Sequence, residues 1–88
     1  MDEQALEKQL HAEGFSDTYV WQDSPNAFYP DHMHPGETAH IILDGEMTVT
    51  MHGAQETYQP GDRFDIPAKT IHSARMGASG CRYLIGEK

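Results

Sequence analysis

An all-β fold, a sandwich or barrel of short strands, is what this sequence predicts, and two observations carry that prediction. Short segments rich in β-branched and aromatic residues recur at regular spacing; the cleanest is residues 46–51, where Met47, Val49 and Met51 alternate with Glu46, Thr48 and Thr50. Between these segments stand turn formers, at residues 23–26, 35–36, 44–45, 52–53, 60–62, 67–70 and 77–80. One segment alone, at the N-terminus, favours a helix.

That segment is residues 2–13, rich in helix formers, with Leu6 and Leu10 one turn apart as a narrow apolar stripe and Gly14 as the stop. A helix this short is marginal unless it docks. Residues 1–14 are therefore expected to pack as a helix on the outside of a single barrel domain, residues 15–88, or to contact a second copy. His11 sits among polar neighbours and reads as a solvated surface histidine.

Residues 15–22 read as the first strand, with Tyr19 and Trp21 on one face and Val20 on the other; core or subunit packing is the simplest account of Trp21, pocket lining the alternative. Residues 27–30 lead into a strand bearing His32 and His34, with Phe28 in phase as an apolar wall. After Pro35-Gly36 the strand resumes over residues 38–43, Thr38, His40 and Ile42 sharing a face, and Asp44-Gly45 reads as a hairpin turn. Residues 46–51 and 54–59 form the clearest pair, joined by His52-Gly53; Met47 is core filler or the lining of an apolar cavity. His52, in the turn, is out of phase with the other histidines. Residues 60–62 turn, residues 63–66 form a short strand, residues 67–70 turn again, and residues 71–76 carry His72. A loop at residues 77–80 and a last strand at residues 81–85 complete the chain.

Eighty-eight residues make one domain whose folding buries only about 60 to 65 per cent of the unfolded surface, so a bound metal or a second subunit would add needed stability. Fourteen acidic against six basic residues give a net charge of −8, which disfavours nucleic acid and anionic lipid as partners. Cys81 is the sole cysteine, which excludes an intrachain disulfide and a cysteine-based zinc site. With no basic-then-apolar leader and no long apolar run, the expected location is the cytoplasm.

The histidines carry the chemistry. His32 and His34, two apart on an extended strand, send their imidazoles to one face, and neutral imidazole is the commonest protein ligand for a transition metal. His40 belongs to the next strand segment, and His72 closes a further one.

Together these segments resemble the cupin superfamily. Its first motif, G-x5-H-x-H-x3/4-E-x6-G, is matched by His32-x-His34 followed by Gly45, and its second, G-x5-P-x-G-x2-H-x3-N, by Gly61-x5-Pro67-x4-His72. The fifteen residues between Gly45 and Gly61 match the short spacing of small single-domain bacterial cupins. The likeness covers roughly residues 26 to 85. The sequence departs from the pattern at Thr38, which holds the motif glutamate's place with Glu37 one position early, and at Asn26, Lys69 and Met76.

The resemblance implies an all-β cupin jelly-roll barrel with a short N-terminal helix, and a divalent transition-metal ion (Zn, Fe, Ni, Mn or Cu) held by His32, His34, His72 and His40, with Glu37 the rival for the fourth place. Two or three histidines plus a carboxylate suit Fe(II) or Mn(II), whereas an all-histidine set favours Zn, Ni, Cu or Fe. Asp62 is expected to stabilise its turn, Cys81 to be a small buried residue, and Tyr29, Tyr58 and Tyr83 are unplaced proton donors. Family members include metal-dependent enzymes acting on small organic molecules; a non-enzymatic ligand-binding or sensor module is the competing reading, and histidines without metal in a structural dimer the third. A homodimer is expected.

Overall fold

Asp2 caps the first element: its carboxylate accepts from the Ala5 amide at 3.2 Å at the start of helix α1, Glu3–Ala12. Gly14 takes the left-handed turn after the helix, at φ +100°, and the Phe15 amide closes back on the Leu10 carbonyl. The apolar stripe then docks, with Leu10 and Phe15 fully buried against Ala39, Ile41 and Leu84, and Leu6 at the margin. Two ion pairs hold the ends of α1 to the sheet: Arg82 grips Glu3 with both Nη atoms at 2.9 Å, and Arg63 grips Glu13 at 2.7 and 3.0 Å. The Arg63 pair is exposed and the Arg82 pair only partly buried, so they orient the helix more than they stabilise it.

The computed structural model describes residues 1–88. After α1 come β1 (Asp17–Asp23), β2 (Phe28–His32), β3 (Thr38–Met51), β4 (Ala54–Tyr58), β5 (Arg63–Ile66) and β6 (His72–Glu87). The two long strands, β3 and β6, run antiparallel along each other from Thr38↔Glu87 to Met51↔His72. On the far side of β6 lie β2, beside its first half, and β1, beside its second. On the far side of β3 lie β5 and β4. All pairs are antiparallel. Because both long strands bend midway, the sheet folds into two layers, and Ile42, Met47, Val49, Phe64, Ile66, Met76 and Tyr83 form the cluster between them. The layers meet by packing: β1, β2, β4 and β5 each pair with one neighbour only, which leaves open edges.

The bends correct two expectations. Asp44-Gly45 does not turn a hairpin, and residues 77–80 are not a loop; each lies inside a continuous strand, where the β3–β6 register shifts between Ile42 and Asp44 and again between Gly45 and Met47. Gly45 and Gly80, both at φ +78°, use their freedom to bend the strand instead of reversing it, and a Cβ on Gly45 would collide with the Gly80 carbonyl oxygen. The structure therefore has six strands where the punctuation suggested more.

Other turns behave as read. His52 and Gly53 take φ +55° and +75°, the left-handed pair of a tight hairpin. Asp62 accepts from the Gln59 amide at 2.8 Å within its turn. Lys69, where the motif has glycine, adopts φ +57°, and its amide donates to the His34 carbonyl at 2.8 Å. That bond ties the turn before His72 to the segment carrying His34. No helix is long and apolar enough to cross a membrane.

Candidate metal centre

Three histidines converge where β2 meets the start of β6. His32 ends β2 and pairs directly with His72, the first residue of β6, while His34 lies just past β2. The His32 and His72 ring centroids are 4.2 Å apart, and His34 stands 5.1 and 5.2 Å from them. One ring nitrogen from each lies within 4.8 Å of the others. Metal–nitrogen bonds of about 2.1 Å need ligand nitrogens about 3 to 3.5 Å apart, so small ring rotations suffice to seat an ion.

Backbone carbonyls set which nitrogen is available. His32 Nδ1 lies 2.7 Å from the Pro30 carbonyl oxygen and His72 Nδ1 lies 2.9 Å from that of Thr70. A carbonyl can only accept, so each Nδ1 carries the proton and each Nε2 keeps its lone pair free, as a metal ligand requires. Burial, the larger cause, and the neighbouring imidazoles lower the pKa values of His34 and His72; for His72 the bond to Thr70 works the other way. Both effects keep the rings neutral and able to bind a cation.

The cluster opens into a cavity of about 270 Å³ whose deeper walls are Met47, Val49, Ile66, Met76 and Ile85. His40 also lines it but stands outside the three-histidine cluster, its ring stacked on Phe64 with centroids 4.5 Å apart. Its Nδ1 is buried with no hydrogen-bond partner, and so is Thr38 Oγ1. Burial, reinforced by His34 and His72, pushes the His40 pKa down to about 3. Glu37 is turned elsewhere: its carboxylate takes Lys88 Nζ at 3.1 Å, and it does not line the cavity. Cys81 is buried, its thiol pushed up to about 11 chiefly by that burial. His11 and His52 are exposed and belong neither to the cluster nor to the cavity lining.

Two aromatic expectations are revised. Trp21 is half-exposed and lines the cavity mouth rather than the core, together with Tyr19 and Tyr29. Phe28 is no wall to the site; it points out, under the Arg75 guanidinium at 4.6 Å. A register shift between Tyr29 and His32 reverses the facing along β2, which puts Tyr29 inside in place of Phe28. Met47, by contrast, lines the cavity as one of its two readings held. Sequence reasoning missed Asp23, taken for a turn residue. Its carboxylate accepts from Tyr29 Oη and Tyr83 Oη, both at 2.7 Å, and from Trp21 Nε1 at 3.1 Å. Glu87 likewise accepts from Tyr19 Oη at 2.9 Å. Burial first, then these carboxylates, raise the phenol pKa values, Tyr19 to about 12 and Tyr83 further, so each hydroxyl remains a donor at neutral pH.

The buried His40 makes stability depend on pH. Its folded pKa of about 3 lies below the ordinary value of 6.5, so the stability it contributes as a neutral ring is complete above 6.5 and is lost as pH falls below that. The loss is about 1.4 kcal/mol per pH unit, or about 2 kcal/mol between pH 6.5 and 5. Urea unfolding of chelator-treated protein should show this loss, and His40→Leu should show about 2 kcal/mol less of it. Equal losses in the two proteins would exclude His40 as the group responsible.

The sequence model of the Cupin domain family matches residues 19–84. Among solved structures, a cupin superfamily protein from Desulfitobacterium hafniense superposes with a TM-score of 0.72 at 21% identity, over 80% of this chain and 63% of that one. The DMSP lyase DddQ from Ruegeria pomeroyi gives 0.74 at 29% identity, over 81% of this chain and 36% of the lyase. Bacillus subtilis oxalate decarboxylase, in a structure devoted to its Mn(II) centres, gives 0.74 at 21% identity, over 81% and 20%. This chain thus spans less than two thirds of each of these three proteins. No curated protein matches the sequence.

Proposed function

The chain belongs to the cupin family, with the all-β jelly roll and short N-terminal helix of that fold, and from this premise we propose that it binds one divalent transition-metal ion on His32, His34 and His72. The observation that carries the reading is the tautomer lock: two of three converging imidazoles spend Nδ1 on backbone carbonyls, leaving Nε2 for a common ion. His40 acts as their buried neutral neighbour, its unpartnered Nδ1 free for a hydrogen bond inside the site. With nitrogen donors and no carboxylate at Thr38, the set favours Zn, Ni, Cu or Fe over Mn.

The function that this geometry supports best is a metal-dependent enzyme acting on a small organic molecule. A bound ion with open positions would polarise a carbonyl or acidify bound water. The chain's own contribution is to exclude water with Met47, Val49, Ile66, Met76 and Ile85, and to present Tyr83 and His40 as groups of fixed protonation state. One observation favours a non-enzymatic binding or sensor module: a single carboxylate, Glu87, lines the cavity, and one of its oxygens is engaged by Tyr19. Protein purified without a nickel column should contain about one transition-metal ion per chain and melt lower after chelation. Absence of both would remove the proposal. A substrate screen on metal-loaded protein, with His72→Ala as the blank, separates enzyme from binder.

We also propose a homodimer. The short chain leaves Phe28, Met33 and Ile71 each about half exposed outside the cavity, and β1 and β2 present open edges. Light scattering should give twice the chain mass at micromolar concentration; a strict monomer there would refute it.

A further inference from the structure

The cavity's mouth carries a second chemistry, distinct from that of its histidines. Four aromatic rings stand there, Tyr19 and Trp21 from β1, Tyr29 from β2, and Tyr83 of β6, which pairs with Trp21. Three are substantially open to solvent: Trp21 at 50%, Tyr19 at 37% and Tyr29 at 36%. Exposed rings of this size normally need either a partner or a ligand.

Charge narrows what that ligand is. No lysine or arginine lines the cavity. Three cations are paired with carboxylates, Arg82 with Glu3, Arg63 with Glu13 and Asp65, and Lys88 with Glu37, and Arg75, between two lining residues, lies over the outward-facing Phe28 ring. An anionic group at the mouth would find no counter-charge from the protein, and the net charge of −8 would oppose its approach. A cation meets the reverse situation, with Glu87 lining the cavity and Asp23 behind the rings that donate to it.

The placing of those two carboxylates narrows it further. Each is capped by the polar ends of the rings: Asp23 by Trp21, Tyr29 and Tyr83, and Glu87 by Tyr19. Donation from a phenol or indole to a carboxylate pushes electron density into the ring and strengthens its attraction for a cation. At Asp23 the three hydrogen bonds take most of the roughly four acceptor sites of the carboxylate, leaving too few for the three N–H groups of a primary ammonium. A cation with no N–H to satisfy, held by ring faces and by charge at one remove, loses nothing by this arrangement.

We propose that the aromatic mouth binds an organic onium group, a fully alkylated ammonium or sulfonium, with the remainder of a small molecule extending toward the histidines. The cavity of about 270 Å³ admits only a small ligand of this kind. The part of the molecule that faces the histidines rests on the metal-site reading above; the onium subsite does not.

Trp21 is the only tryptophan in the chain, so its fluorescence reports on this site alone. Choline is titrated into the full-length protein, both as purified and after chelation, beside two controls: 3,3-dimethylbutan-1-ol, its neutral carbon isostere, and ethanolamine, its primary-amine counterpart. The expected result is a saturable change in Trp21 emission with choline, at least about tenfold tighter than with either control, and weakened about tenfold in Tyr29→Leu. Equal affinity for choline and the isostere would overturn the proposal. So would the lack of any response at millimolar choline, as when a second copy seals Trp21. Choline binding by a protein that holds no metal would sustain the onium subsite while refuting the metal centre, so the two can fail separately.

Discussion

His72→Ala is expected to lose stoichiometric metal and, with it, the rise in melting temperature that metal confers. His72 faces His32 across the β2–β6 register, and its Nδ1 bond to the Thr70 carbonyl fixes the ring for coordination. Removing a mere outer partner of a ligand typically costs 10- to 100-fold in metal affinity, so removing one of three ligands should cost at least about 100-fold, or about 2.7 kcal/mol. For an ion that binds the folded state only, that amount is also lost from stability, and in a domain of this size it lowers the melting temperature by roughly 10 to 20 °C. The loss should vanish when parent and variant are compared in chelator, apart from what the Thr70 bond contributes. His40→Leu, which removes a neighbour rather than a ligand, should cost less, roughly 10- to 100-fold. His52→Asn should change nothing, since His52 is exposed in its hairpin and Asn tolerates the positive φ. Metal content by elemental analysis and melting with and without chelator decide the matter; a His72→Ala protein that retains an equimolar ion would disprove the three-histidine centre.

How much of this site could be read in advance depends on how local each signal is. Spacing of two on an extended strand places His32 and His34 on one face whatever the fold, and the second motif brings His72 to them through a single antiparallel pairing. Facing also placed His40 and Met47 inward. It could not say that the inward space is a cavity, which is why Trp21 looked like core: alternation distinguishes inside from outside, never filled from empty. Phe28 failed for a different reason. One irregularity between Tyr29 and His32 shifts the parity of everything before it, and its single local sign is Pro30, which a strand tolerates only at an edge or a bulge. Asp23 was hidden because its acceptors' partners come from three strands, Trp21 beside it, Tyr29 on β2 and Tyr83 on β6, and only folding assembles them.

The strand bends show the same limit in the backbone. Asp44-Gly45 and His52-Gly53 look alike in sequence, each a polar residue before glycine between apolar runs, and both glycines take positive φ. At His52-Gly53 both residues are left-handed and the chain reverses. At Asp44-Gly45 only the glycine is, and the strand continues with a bulge. What separates them is tertiary: β6 runs alongside β3 through the bend, with Cys81 opposite Gly45 and the Gly80 carbonyl against its Cα. A pairing partner from the other end of the chain is invisible to a local reading.

That difference yields the largest stability effect expected here. A methyl group at Gly53 would meet nothing, so Gly53→Ala carries only the left-handed backbone penalty, about 1 to 2 kcal/mol. Gly45→Ala carries that penalty and also drives a Cβ into the Gly80 carbonyl oxygen, a backbone atom that cannot turn aside. Relief requires moving β6 away from β3 at the fold's central bend, and Gly80 cannot retreat, because its own Cα lies against the Asp23 carbonyl. The expected cost is at least about 4 kcal/mol, most of the stability of a domain this small. Gly45→Ala should therefore be largely unfolded, or refold only with metal in excess, while Gly53→Ala keeps a cooperative transition at a urea midpoint moderately below the parent's. Urea titration followed by Trp21 emission measures both. Equal midpoints for the two variants would mean that the close approach of Gly45 and Gly80 does not hold the bend, and the two-layer arrangement would need another cause.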